Sequence, residues 1–451
     1  MVHRQQLQRL AVQAEGLSPL RVYIALYLAA LLVTVLIGML GHFRVVPDFL
    51  EADEHEYYLL SNGILHGDFD IGPRRTLGFP VLLAAIRLVF DNFFFLQVVV
   101  AAIYALSAPL LFRLMRALGI ESLPSLAASL IFIVWPPSLY FGTSLYSETV
   151  ALPVFLLALS LLPSAWGPER STGRAAALAL LSGLVLGLAA HIRPMYLLFV
   201  PVAALILLVE NRLRHIAWVN LGALLIGFAI VILPWSMMME ARFHRVILLS
   251  ANGGETLAGG LNPVLLDPAT QSVTKVGDGR EAWVGPGKWV PPDRTGYLSA
   301  EELRLPYFEQ DPLLRQRAVD WVLKHPADAI RLELCKAAYM WGLYPIERNS
   351  WVQILFGNVP LIALLLFSCY LFVRMPSSRQ RFVRLWLLAL YVTGIGLISW
   401  GSWRFRQAGD AGLIAYCTAC GWSYWSRFAA RRGAAIKTGE TIPDGSAVRA
   451  T

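Results

Sequence analysis

The chain has 451 residues, of which 57% are hydrophobic and only 15% charged, against roughly 25% charged in a soluble domain. This excludes an ordinary soluble enzyme, because so much apolar surface cannot be hidden in a water-facing fold. A net charge of +8 with a pI near 9.4 could suggest nucleic acid, but the basic residues sit between apolar runs, where they set membrane topology instead.

Apolar runs of about 20 residues, the length a helix needs to cross about 30 Å of hydrocarbon, predict ten transmembrane helices. They fall at 20–41, 93–112, 123–141, 146–163, 175–190, 194–209, 215–235, 351–373, 384–402 and 408–428. The expected fold class is an all-α polytopic membrane protein of about ten transmembrane helices, with interfacial helices on its outer face and an α/mixed extracytoplasmic loop region. Its domains are an N-terminal membrane module, 1–235, with a first outer loop at 42–92; an extracytoplasmic region, 236–350; and C-terminal membrane helices with a tail, 351–451.

With the N-terminus inside, the cytoplasmic segments carry Arg4, Arg9, Arg21, Arg113, Arg116, Arg170, Arg174, Arg212, Arg214, Arg374, Arg379, Arg381, Arg384, Arg427, Arg431, Arg432 and Lys437. Those seventeen stand against seven in the short outer loops and segment 42–92 (Arg44, Arg74, Arg75, Arg87, Arg193, Arg404 and Arg406). The asymmetry places both termini in the cytoplasm and anionic lipid headgroups beside the chain. A 19-residue polar start precedes the first span, which reads as a retained anchor with no cleavable signal.

The first outer loop is the richest in chemistry. In Glu51-Ala-Asp-Glu-His-Glu-Tyr57, continuing to Gly67, the residues Asp53, Tyr57, Leu60 and Ile64 share one face of a predicted helix. Glu51, Asp53, Glu54 and Glu56 crowd one turn; like charges so close raise one another's pKa and would make a competent general base. The alternative is an acidic first turn that merely complements the helix dipole. Residues 77–90 are apolar but short and carry Arg87, so they read as an interfacial helix rather than a span that would invert the later topology. Glu148 opens a span from the outer face, either as a helix-dipole charge or as a second active-site carboxylate.

Arg74, Arg75, Arg193, Arg404 and Arg406 lie on the outer side, against the inside bias. Guanidinium is the natural bidentate partner of a phosphate diester, so these arginines predict a lipid-phosphate site. Snorkelling to headgroups, or ion pairs to the acidic turn, is the plainer account. In region 236–350, segment 251–300 reads as loop or short strands and 312–345 as helical. The turn Asn252-Gly253-Gly254 offers backbone amides to a ligand, although such turns are common. Trp283, Trp289, Tyr297 and Tyr307 are either a sugar-stacking platform or an interface belt. His55 and His66 make no metal pattern with their neighbours, and His191 reads as an interface histidine. Cys417 and Cys420 form a C-x-x-C inside an apolar span, where packing is the expected role. There is no internal repeat of the transporter kind.

Several of these pieces, in order, resemble the GT-C superfamily of membrane glycosyltransferases, in its protein-mannosyltransferase-like and aminoarabinose-transferase-like branch. Asp53-Glu54-x-x-Tyr57 with Gly67 is similar to the family's DE-x-x-Y loop, and Thr76-Leu-Gly-Phe-Pro80 to its PPGYPLLLA segment, with Gln97 where the next span begins. Tyr146-Ser-Glu148-Thr149 resembles SET, and Gly187-Leu-Ala-Ala-His-Ile-Arg193-Pro194 resembles GLAALTRP. Pro234-Trp235, Ser250-Ala-Asn252-Gly-Gly254 and Asn262-Pro263 are similar to the PW, STNGG and GNNP stretch. Lys324-His325-Pro326, with Lys336 and Trp341, resembles the KHP helix, and Arg404-Phe405-Arg406 the late RYR. Met238-Met239 stand where the family has Arg-Asn, and the proline after RYR is missing.

The resemblance implies a GT-C-like fold and inverting transfer of a sugar from a polyprenyl phosphate to a glycolipid, polysaccharide or protein acceptor, with no cofactor and no divalent metal required. Asp53 would be the base, with Glu54 as its alternative and Glu148 as second acid. Tyr57, Arg74, Arg75, Arg193, Asn252, Arg404 and Arg406 would bind substrate, at the outer face of a cell membrane such as a bacterial inner membrane. The rival readings are a flippase or transporter of a lipid-linked substrate, and a non-catalytic subunit of envelope assembly.

Overall fold

The computed structural model describes residues 15–44, 52–68, 74–162, 172–210, 215–267, 273–275, 281–283, 285–343 and 354–438. Glu51, Arg4, Arg9, Arg170, Arg212 and Arg214 of the sequence reading lie outside them.

The architecture is helical almost throughout. Among the described residues, α1 is Pro19–Ile37, α2 Ala52–Leu65, α3 Gly78–Val89, α4 Phe93–Ala105, α5 Ser107–Ala117, α6 Ser122–Ile133, α7 Pro136–Gly142, α8 Ser147–Leu161, α9 Thr172–Ile192, α10 Phe199–Glu210 and α11 His215–Phe243. After the 253–343 layer described below come α15 Val359–Arg374, α16 Pro376–Ile398 and α17 Gln407–Thr438; α12, α13 and α14 are Gly253–Gly260, Tyr307–Lys324 and Pro326–Met340.

Among the described residues, four helical stretches are long and apolar enough to cross a membrane: Pro19–Gly41, Phe93–Ala117, Thr172–Ile192 and His215–Phe243. The pair α6 and α7, bent by 61°, makes a fifth if taken as one broken span. Shorter apolar helices occupy Gly78–Val89, Ser147–Leu161, Pro194–Val209, Val359–Arg374 and Phe382–Ile398. The chain is thus a multi-pass membrane protein by the length and composition of its helices. The helix expected to stop at 235 runs on to Phe243, through Pro234.

Small residues bring the membrane helices close. A Cβ on Gly183 would lie 2.0 Å from Leu224 O, and one on Gly227 would lie 2.2 Å from Leu180 O. Glycines at these crossings let α9 and α11 pack backbone to backbone, which drives association where lipid removes the hydrophobic incentive.

α3 is 12 residues long, a rise of about 18 Å, well short of the bilayer core. It is amphipathic: Phe79, Leu83, Ala84 and Arg87 are buried while Leu88 and Val89 are exposed. Arg87 is folded inward, with Nε 2.8 Å from Asp91 Oδ1 and Nη1 2.9 Å from Ser61 Oγ, and it lies over the Tyr58 ring. The charge that argued against a span therefore staples α3 to α2. Gly78 sits so close to α9 that a Cβ would be 2.6 Å from His191 O, which sets the preceding Arg74-Arg75 beside the end of α9.

The 253–343 layer has its own small core of Ala258, Leu261, Leu265, Val290, Leu314, Ala318 and Leu332. It is built from α12, α13 and α14, short 3₁₀ turns, and one antiparallel hairpin of β1 (Val273–Lys275) and β2 (Glu281–Trp283), in which Thr274 pairs with Ala282.

Candidate active site

Four chain segments meet at one end of the helical bundle, each delivering charge from a helix terminus. α2 opens with Asp53, α8 opens with Glu148, Arg193 follows the C-terminus of α9, and Arg404 stands in the 3₁₀ turn Trp403–Arg406 between α16 and α17. Acids in a first turn complement the positive end of the helix. Pro194 ends α9 by removing a donor, and Ser402 Oγ accepts from Arg404 N to start the 3₁₀ turn.

Asp53 is shared between two guanidinium groups. Its Oδ1 is 2.9 Å from Arg75 Nη2 and its Oδ2 2.7 Å from Arg404 Nη1. Arg75 also donates to Glu56 Oε2 at 2.6 Å. Arg404 reaches back to Glu148, with Nε 3.1 Å from Oε1, and lies 3.9 Å from the centre of the Tyr146 ring, within cation–π range. Arg193 closes the chain of charges, its Nη2 2.9 Å from Glu148 Oε1 and its Nη1 3.2 Å from Ser147 Oγ. The Tyr57 hydroxyl approaches the same Ser147 Oγ at 3.4 Å.

Above this array lies a cavity of about 520 Å³. Asp53, Glu56, Arg74, Arg75 and Arg404 line its charged side; Tyr140, Tyr146, Trp289, Trp400 and Trp403 supply aromatic walls; Glu255, Thr256 and Lys288 come from the 253–343 layer, and Asn252 from the turn just before it. That layer is tied to the first loop through Arg74, which donates bidentately to Glu255 at 2.8 and 3.1 Å. Glu255 Oε2 also accepts the Tyr307 hydroxyl at 2.8 Å, and Glu255 N donates to Asp311 Oδ1. Burial, then the Glu255 carboxylate, pushes the Tyr307 hydroxyl up, so it remains a donor.

The expected raising of Asp53 by its acidic neighbours is corrected by this geometry. Burial does push the Asp53 carboxyl up, but the guanidiniums of Arg404, Arg75 and Arg193 outweigh it and hold Asp53 well below the usual carboxylate range. The neighbouring acids are drawn off in other directions, Glu56 to Arg75 and Arg74, and Glu54 to the backbone N–H of Leu145 at 2.7 Å.

Of the candidates read from sequence, Asp53, Arg74, Arg75, Asn252 and Arg404 line the cavity. Glu148, Arg193 and Tyr57 are buried behind it. Glu148 grips two arginines and does not face the cavity. Arg406 is not brought to the cavity at all. It is buried, with Nη1 donating to Met340 O at 2.7 Å and Nε 3.3 Å from Asp410, because two residues of 3₁₀ turn rotate it away from Arg404. Glu56, one of the acids crowding the first turn, also lines the cavity, and so does Glu255, which the sequence reading does not single out. The acid directly after the Asn252-Gly-Gly turn, in the first turn of α12, was the available signal for Glu255.

No protein-family model and no curated protein matches this sequence. Among solved structures, the chain is similar to the Archaeoglobus fulgidus oligosaccharyltransferase in its apo form (15% identity, TM-score 0.46, covering 93% of this chain and 52% of that one). It is similar also to the archaeal oligosaccharyltransferase AglB from Archaeoglobus fulgidus in complex with an inhibitory peptide and a dolichol-phosphate (12% identity, TM-score 0.45, 93% and 52%), and to the Archaeoglobus fulgidus enzyme complexed with Zn and sulfate (14% identity, TM-score 0.43, 92% and 51%). The chain spans about half the length of those chains, and at this distance the likeness says nothing of which residues act.

Proposed function

We propose that this chain is an inverting glycosyltransferase that moves a sugar from a polyprenyl-phosphate donor to a cell-envelope acceptor, a glycolipid, polysaccharide or protein, at the outer face of the membrane. The observation that carries the reading is a single carboxylate, Asp53, held between Arg75 and Arg404 at the edge of a large aromatic-walled cavity. A phosphate monoanion or diester asks for paired guanidiniums, and sugar rings stack on aromatic faces.

In the resting arrangement Asp53 is ionised but a weak base. When a lipid phosphate enters, it takes the hydrogen bonds of Arg75 and Arg404, and Asp53 regains basicity as its partners turn away. Asp53 then accepts the proton of an acceptor hydroxyl or amine, whose oxygen or nitrogen attacks the anomeric carbon. The anomeric C–O bond to phosphate breaks with its electron pair leaving on the phosphate, stabilised by the same guanidiniums. Glu148 orients Arg404 and Arg193 in this scheme rather than serving as a second acid. The arginines supply the positive charge the leaving group needs, so the reading requires no divalent metal. The basic asymmetry along the sequence supports an extracytoplasmic site with both termini cytoplasmic, as in a bacterial inner membrane.

Incubating the purified chain with radiolabelled polyprenyl-phosphate sugar and envelope acceptors tests the proposal. Label should move to acceptor with wild type and not with Asp53→Asn. Translocation without transfer would establish a flippase instead, and neither outcome would leave a non-catalytic subunit.

A further inference from the structure

We infer that Lys336, which does not line the cavity, is a positioning residue that sets the height of Arg404, and that it does so by capping the end of α16; this rests on the phosphate-binding role proposed for Arg404. The turn that bears Trp400, Ser402, Trp403 and Arg404 supplies four residues of the cavity lining, yet it is only a few residues long and leaves a helix C-terminus whose last carbonyls have no intrahelical donor. Lys336, on α14, fills that need. Its side chain is fully buried, and Nζ donates to Leu397 O at 2.7 Å and to Glu333 Oε1 at 2.8 Å. A cation at a helix C-terminus is favoured by the dipole as well as by the hydrogen bond.

Two contacts show that the turn is seated on this lysine. Gly401 adopts φ +73°, and a Cβ there would lie 2.9 Å from Lys336 Cβ and 3.2 Å from Lys336 O. Gly260, at the end of α12, also fits so closely that a Cβ would be 2.0 Å from Ser399 O. The far end of the turn is fastened to the same helix, since Arg406 Nη1 donates to Met340 O. α14 therefore holds the turn at both ends, with Lys336 at the entry and Met340 at the exit. A buried lysine with no view of the cavity has no ligand to contact; what it controls is where the segment 399–404 rests.

Two measurements on the full chain in nanodiscs test this. Hydrogen exchange is read on peptides covering 399–406, and affinity for polyprenyl phosphate is read by tryptophan fluorescence in a double-mutant cycle with Arg404→Ala. Lys336→Met should speed exchange at 399–406 while leaving α8 and α13 unchanged, and should weaken polyprenyl phosphate at least tenfold in wild type but not in the Arg404→Ala background. Gly401→Ala, which lifts the turn from the same seat, should give the same exchange signature if Lys336→Met does not fold. Unchanged exchange at 399–406, exchange rising throughout the chain, or additive losses of affinity would each overturn the inference. Failure of wild type to bind polyprenyl phosphate would sink the proposed function instead, while the exchange data would still judge Lys336.

Discussion

Replacing Asp53 with asparagine separates chemistry from folding, because the geometry sets different sizes for the two effects. The carboxylate bridges Arg75 and Arg404 at 2.9 and 2.7 Å, and the amide keeps one acceptor but turns an N–H toward a guanidinium. Breaking a fully buried pair costs about 3–5 kcal/mol. Here the Asp53 side chain is 23% exposed, Arg75 keeps Glu56, and Arg404 keeps Glu148, so a cost of about 1–2 kcal/mol is expected. Loss of a general base slows proton-coupled attack by about 10²–10⁴, equivalent to about 3–5 kcal/mol of barrier. The Asp53→Asn protein should therefore express, melt a few degrees low, and transfer label at least a hundredfold more slowly. Its affinity for polyprenyl phosphate should be retained or improved, since Arg75 and Arg404 no longer divide themselves between carboxylate and phosphate. Turnover within about threefold of wild type, at saturating donor, would refute the base assignment.

Acid titration offers an independent check. The Asp53 carboxyl is depressed in the folded chain, so its stabilising contribution is present above the unfolded value of about 3.9 and is lost as pH falls through the lower folded value. The melting difference between wild type and Asp53→Asn should be constant from about pH 5 to 8 and shrink below about pH 4; a difference that already fades near pH 6 would contradict the pairing. Arg406→Met should strand Asp410, which is 1% exposed, and destabilise by about 3–5 kcal/mol; a loss below about 1 kcal/mol in a chemical melt, the size of an exposed pair, would deny that Arg406 and Asp410 form a buried pair. Glu255→Gln weakens charge-assisted bonds worth about 1.5–3 kcal/mol each, so limited proteolysis should cut the 253–343 layer sooner, and unchanged digestion would deny that Arg74 fastens it.

The sequence by itself determined the membrane character, the positions of most helices, and a first loop in which an acid and several arginines stand near one helix end. These follow from local rules: apolar length, the run of helix-forming residues, prolines such as Pro194 that stop a helix, and acids in first turns. It also announced α3 as a short apolar helix carrying Arg87, at 77–90, where the structure has a helix of 12 residues. The pKa of Asp53 was not legible. Neighbours in sequence predicted repulsion, whereas Arg75, Arg193 and Arg404, brought from 22 to 351 positions away, reverse its sign. Partner choice at Arg404 and Arg406 was equally hidden, because a 3₁₀ turn aims two arginines two residues apart in different directions, one to Asp53 and one to Met340 and Asp410. Glu148, which reads as a catalytic acid from its place at a helix start, is enclosed by two guanidiniums behind the cavity. Local order is written in local sequence; the charge state and reach of a site depend on which distant segments fold against it, and only the tertiary structure decides that.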